Sequence, residues 1–243
     1  MQLAPHLHRV GGSSLVNAYL VEDAGAITVI DAGLPRLRRG FLQELEAMGR
    51  SPSDVRALLL THGDIDHVGF AERLRREADV PVYVGAADAA EARGEVPKPA
   101  AERDGMRLVP LAGFLWFALS HGGLRRTPVK VVTPIDRRTS LDVPGAPVAI
   151  PLPGHTPGSV AYHFSSVDAV FVGDGMTTRS VMTGAAGPAI APFTVDRAQA
   201  LASLEALDGI SARWVLPGHG EPWSGGLAEA LRLVRTASEA NRA

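Results

Sequence analysis

The chain contains no cysteine, and that single absence removes disulfides, thiol nucleophiles and sulfur metal ligands together. It also lacks an excess of either charge. Its 24 basic and 26 acidic side chains are interspersed for a net charge of -2, so nothing forms the basic stripe that nucleic acid requires or the polybasic segment that an anionic membrane attracts. No long hydrophobic run is present. The most apolar window, Leu108 to Leu119, is interrupted by Pro110 and Gly113 and falls short of the roughly 20 residues that span a bilayer; it reads as buried or as a pocket wall. Met1 to Val10 holds Pro5, His6, His8 and Arg9 where a secretory signal would have a basic start and an apolar stretch. The expectation is a cytoplasmic protein with a small-molecule partner, and with neither nucleic acid nor membrane. Composition gives no signal of oligomeric state. At 243 residues the chain is expected to form a single domain, 1–243, that buries enough apolar surface to fold without a structural metal, so any metal is expected to be catalytic.

What is present is a density of metal-binding side chains. Thr61-His-Gly-Asp-Ile-Asp-His-Val-Gly69 places His62, Asp64, Asp66 and His67 within six consecutive residues, directly after the apolar run Val55 to Leu60. Imidazole and carboxylate are ligands of Zn(II), Fe(II) or Mn(II). The competing reading is a solvated turn with Asp66 capping the helix that follows. Three further candidates recur in one context, a glycine at a strand end: Gly154-His155, Gly173-Asp174 and Gly218-His219. A residue without Cβ suits a site where backbones converge.

Periodicity places these motifs on an alternating scaffold. Leu15 to Val21 and Ala26 to Asp31 read as strands joined by a short turn, Pro35 to Met48 as a helix, Val55 to Leu60 as a buried strand, and Phe70 to Ala78 as a charged amphipathic helix. Val80 to Val84 is a further strand and Ala86 to Arg93 a helix. Gly94 to Arg126, rich in Pro, Gly and charge, looks like an inserted cap. The second half restarts with strands at Lys130 to Val132, Val148 to Leu152, Val160 to Phe164, Ala169 to Val172 and Trp214 to Leu216, with helices at Asp196 to Leu207 and Leu227 to Ala240. Both halves share this layout without visible identity, so an internal repeat is only suspected.

The order and spacing of these motifs resemble the metallo-β-lactamase-fold hydrolases, whose signature is His-x-His-x-Asp-His, then a His, a bridging Asp and a last His; the matches span Asp31 to His219. The resemblance implies an α/β fold, a four-layer αββα sandwich with a helical insertion around residues 94–126. It implies two divalent metal ions, with His62, Asp64 and His155 holding the first, Asp66, His67 and His219 the second, and Asp174 bridging them. Asp31-Ala32-Gly33 matches the family's early Asp-x-Gly turn, which supports the metal loop from behind. Asp66 and Asp174 are the catalytic candidates, Asp66 for passing a proton to the leaving group.

One departure stands out: the family's second histidine is here Asp64. Zn(II) is the first expectation, but an added anionic oxygen donor also favours Fe(II) or Mn(II), and the reduced version of the site is one metal at Asp66, His67, His219 and Asp174. The activity implied is hydrolysis of an ester, lactone or thioester by a metal-activated water. A single-iron sulfur dioxygenase and a non-catalytic metal-binding or sensor member of the fold are the alternatives. Phe114, Leu115, Trp116 and Phe117 could line an apolar cavity over the metals. Glycine, methionine and threonine follow Asp174, where acyl-homoserine lactonases carry a tyrosine, which speaks against that activity. His6, His8, His121 and His163 sit in no ligand spacing and are assigned no role.

Overall fold

The computed structural model describes residues 1–102, 105–125 and 127–240. Strand residues of the first half are apolar on both faces, because they lie in a sheet covered on both sides. Seven strands, β1 (Gln2–Ala4), β2 (Leu7–Arg9), β3 (Tyr19–Asp23), β4 (Ala26–Ile30), β5 (Val55–Leu59), β6 (Val82–Gly85) and β7 (Thr133–Ile135), form one sheet in chain order, antiparallel up to β4 and parallel from there on. Five strands of the second half make another, ordered β14-β11-β10-β9-β8: β8 (Thr139–Ser140), β9 (Val148–Pro151), β10 (Val160–Phe164), β11 (Ala169–Gly173) and β14 (Trp214–Pro217). β12 (Thr177–Arg179) and β13 (Ala186–Ala189) pair separately.

Alternation along each strand sorts side chains into three cores and so defines four layers. Tyr19, Val21 and Ile30 from the first sheet meet Val160, Tyr162, Phe164 and Phe171 from the second in the central core. Leu20, Val29 and Leu58 face the other way, onto α1 (Arg38–Ala47) and α2 (Ala71–Ala78) through Phe41, Leu45 and Leu74, with α3 (Ala89–Ala92) beside them. Val170 and Val172 turn outward onto α5 (Arg197–Ser203) and α6 (Leu227–Ala240), meeting Ala200, Ala230 and Val234. The result is the expected αββα sandwich. Its two sheets are tied by hydrogen bonds as well as packing: the Tyr162 hydroxyl donates to the Leu60 carbonyl at 2.8 Å, and the Val160 amide to the Thr61 carbonyl at 2.8 Å.

Three expectations need correction. Leu15 to Ala18 is not strand, because its polar groups are drawn to the loop after β14: the Asn17 amide donates to the Gly218 carbonyl and its side chain to those of Pro217 and Gly220. Lys130 to Val132 is not strand either. The Lys130 amide is taken by the Glu72 carboxylate, and pairing with β6 begins only at Thr133. Third, the apolar window is the helix α4 (Leu108–Ser120), none of whose residues is buried, Leu108, Val109 and Trp116 being 80%, 84% and 73% exposed; of the two expected roles it has that of pocket wall, through Phe114, Leu115 and Ala118. The far boundary of the expected insertion, Arg126, lies outside the described residues.

Candidate metal centre

Every candidate sits at the same edge of the sandwich, on a turn leaving a strand's C-terminal end. His62 to His67 follow β5, His155 follows β9, Asp174 follows β11 and His219 follows β14. The two sheets deliver all seven side chains to one place. His62, Asp64 and His155 offer donor atoms within 4.8 Å of one another, as do Asp66, His67 and His219, and as do His62, His67 and Asp174. Asp174 is central: its carboxylate oxygens stand 3.2 Å from His219 Nε2, 3.6 Å from His155 Nε2 and 3.7 Å from His67 Nε2. His219 Nε2 is 3.4 Å from Asp66 Oδ2, and His62 Nε2 is 3.4 Å from Asp64 Oδ2. Donors bound at about 2.0–2.2 Å to one tetrahedral ion stand about 3.4 Å apart, so these spacings suit a cation.

The outward nitrogens decide which way the imidazoles present their lone pairs. His67 Nδ1 meets Asp31 Oδ2 at 2.8 Å and His219 Nδ1 donates to the Leu15 carbonyl. His62 Nδ1 lies 2.9 Å from Thr61 Oγ1, whose own proton goes to Asp31; His155 Nδ1 lies 3.3 Å from Thr194 Oγ1, whose proton goes to the Ala191 carbonyl. Both hydroxyls are therefore acceptors toward their histidines. All four rings are held by Nδ1–H with Nε2 turned into the cluster, the arrangement a ligating histidine needs. His62 Nε2, His67 Nε2 and Asp174 Oδ1 are buried there without a hydrogen-bond partner. Buried orphans of this kind are costly, and a bound cation would satisfy them. The residues present fit a metal ion.

Electrostatics agree. Burial disfavours a charged His67, yet Asp31, with Asp174 and Asp66 behind it, pushes its pKa up to about 10; Asp174 and Asp66 likewise push His219 up to about 9 against its burial. The anionic field that holds those protons is one that would hold a cation. Burial works to raise Asp174, but His219, His155 and His67 keep its carboxyl well below the usual carboxylate range. Burial works to raise Asp64 too, but the neighbouring His155 and His62 hold its carboxyl well below the usual carboxylate range, while burial lowers His155.

Glycine matters here at one position. A Cβ on Gly218 would lie 2.3 Å from Asp174 Oδ1 and 2.5 Å from His67 Cε1, whereas one on Gly154 or Gly173 would strike Ala200 or Thr61 instead. Only the first guards the cluster itself. Nor does Asp66 cap a helix: the residue at that position is Phe70, with no side-chain bond. Asp31, at φ 60°, carries the metal loop as expected, accepting from the Thr61 amide and hydroxyl and holding His67.

Three supporting residues escaped sequence reasoning. Buried Asp88 accepts from the Gly63 and Gly158 amides at 3.1 and 2.7 Å and from the Thr156 hydroxyl at 2.6 Å, stitching the His62 turn to the His155 turn. An acid within the run Ala86-Ala-Asp-Ala-Ala90 was the available signal. Asn17 holds the His219 turn. Lys98, from the insertion, reaches Asp64 and His155.

A family model described as the metallo-beta-lactamase superfamily matches residues 11–219. The chain belongs to the metallo-beta-lactamase superfamily. Among its relatives, the probable metallo-hydrolase YflN of Bacillus subtilis (strain 168) is 26% identical over 238 residues, covering 87% of this chain and 83% of that one. TTHA1429 from Thermus thermophilus, a metallo-beta-lactamase family protein, shares the fold with a TM-score of 0.68 at 20% identity, over 99% of this chain and 81% of its own. TTHA1623, solved in a di-iron-bound form, aligns with a TM-score of 0.63 and 28% identity over 93% of this chain and 98% of its own. As a superfamily member, this protein pairs the αββα fold with His and Asp groups able to hold metal. No helix among the described residues is long and apolar enough to cross a membrane.

Proposed function

We propose that the protein is a metal-dependent hydrolase of small esters, lactones or thioesters. One observation carries the reading: the inward Nε2 atoms of four histidines converge with Asp174 beside a cavity of about 590 Å³ whose other walls are largely apolar. A divalent ion held by these donors supplies a water of lowered pKa and a Lewis acid for a carbonyl.

The chain's own residues supply the rest. Phe114, Leu115 and Ala118 of α4, with Leu34, Ile65 and Phe193, form the apolar part of the cavity, which would take the hydrocarbon portion of a substrate and keep bulk water from it. Asp66 lines the same cavity with its carboxylate only partly buried, so that an oxygen not engaged by a metal would be placed to relay a proton to a departing alkoxide or thiolate. Of the aromatic cluster, Trp116 points to solvent and Phe117 stacks on His121 at 4.0 Å, so specificity along that wall rests on Phe114 and Leu115. Zinc is the first metal to test; iron is the next, on the grounds of Asp64 and of the di-iron form of TTHA1623.

The test is turnover of a panel of nitrophenyl esters, lactones and thioesters by metal-loaded protein, chelated protein and Asp174→Asn. Hydrolysis that chelation abolishes and the variant loses by about a hundredfold or more, with the fold retained by circular dichroism, is the expected result. Metal-independent hydrolysis, or oxygen uptake with a persulfide in place of hydrolysis, would overturn it.

A further inference from the structure

The two donor groups differ in what already occupies them. Among the described residues no cationic side chain intrudes on Asp66, His67 and His219, and the charge there is strongly negative: Asp66 and Asp174 in contact with the histidines, Asp31 behind His67. The His62, Asp64 and His155 group has one carboxylate of its own, and Lys98 Nζ sits against it, 2.5 Å from Asp64 Oδ2 and 3.0 Å from His155 Nε2. His155 Nε2 carries the lone pair a metal would use, since its Nδ1 proton is given to Thr194. An ammonium therefore binds the same two atoms that a first metal would bind.

The sequence around Lys98 makes this a built position. Pro97 and Pro99 flank it and restrict the backbone on both sides. The segment is anchored before and after, by the Glu95 amide on the Ala90 carbonyl and the Glu102 amide on that of Thr194, the residue that also orients His155. Residue type matters as well. Of 24 basic residues only Lys98 and Lys130 are lysine. A compact ammonium fits between a carboxylate oxygen and an imidazole nitrogen, where a planar guanidinium would not.

We propose that Lys98 is the resident cation of the first metal position, so that the protein holds one tightly bound metal, in the Asp66, His67, His219 and Asp174 group, and admits a second only by displacing the lysine. The replacement of the family's histidine by Asp64 then has a physical sense: a carboxylate neutralises an ammonium, which an imidazole cannot do. This inference rests on the reading of the cluster as a metal centre and specifies which half of it is loaded.

The experiment is elemental analysis of the full chain after dialysis into metal-free buffer, followed by titration with Co(II) read by its visible absorption, for the wild type, K98M and D64N. One retained equivalent is expected in the wild type, and a weak second step. In K98M that second step should tighten by at least about tenfold, the effect of removing a like charge beside a metal. D64N should retain the same single equivalent, because Asp64 is no ligand of the tight ion. K98Q replaces K98M should the latter fail to fold. Two tightly held equivalents in the wild type, a second step unchanged by K98M, or loss of the single equivalent in D64N would each overturn the proposal while leaving the metal centre standing. No metal in any of the three would overturn the metal-centre reading itself, and this inference with it.

Discussion

A histidine becomes a metal ligand through what its far nitrogen touches, and here each of the four is held from outside the cluster: by a carboxylate for His67, hydroxyls for His62 and His155, a backbone carbonyl for His219. Asp31 is the most consequential of these, because it also binds Thr61 through both amide and hydroxyl. Replacing Asp31 by Ala should therefore lower metal affinity by about 10–100-fold, measured by competition with a chromophoric chelator, with the four-layer fold intact by circular dichroism. The histidines and aspartates themselves were legible in the sequence, since their spacing is dense and their chemistry unambiguous. Their partners were not, because an Asn, a Thr or a carbonyl is an ordinary residue until the fold sets it against an imidazole. Lys98 is the same case: 34 residues separate it from Asp64, and no periodicity links them.

At the scale of elements, turns rather than strands hold the centre together. The short helical stretch after β6 presents Asp88 to two turns at once, and Asp88→Ala would leave the Gly63 and Gly158 amides buried without an acceptor and the Thr156 hydroxyl with Ser159 alone. A loss of about 3 kcal/mol in chemical denaturation is expected, together with weaker metal binding, as the His62 and His155 turns come apart. The helix α2 plays the matching part for the insertion. Glu72 is held below its ordinary value of 4.5, first by its hydrogen bonds to Arg75 and then, against a smaller burial effect, by the Lys130 amide where the chain returns toward β7. A lowered folded pKa adds stability above the unfolded value and loses it as pH falls through the folded one. Glu72→Gln should thus cost about 0.5–1 kcal/mol at pH 7, and the gap from the wild type should close below pH 4.5 in thermal melts. Long elements such as β4, β10 and α6 were readable because several apolar residues repeat within them. β1, β2, β8, β12 and β13, of two to four residues each, contain too few side chains to show a period.

For the whole molecule, the centre is a place where two sheets cooperate. Each contributes part of each donor group, so a bound ion would clamp the sandwich along its open edge. An ion that binds only the folded state raises stability in proportion to the logarithm of its free concentration, by about 2.7 kcal/mol at a hundred times its dissociation constant. Protein stripped with chelator should accordingly melt several degrees lower than protein loaded with Zn(II), and the difference should vanish in Asp174→Asn; calorimetry measures both.

The sequence by itself determined the fold class, the family and the seven residues around which the site is organised, since hydrophobic periodicity and donor spacing are local properties that survive without coordinates. Only the tertiary structure decided which way each imidazole turns, that Asp88 and Asn17 carry the turns, that α4 leaves its apolar residues unburied, and that a lysine stands at one half of the centre. Those facts depend on contacts between residues far apart in the chain, and their energies arise when burial strips water from polar groups that must then find one another.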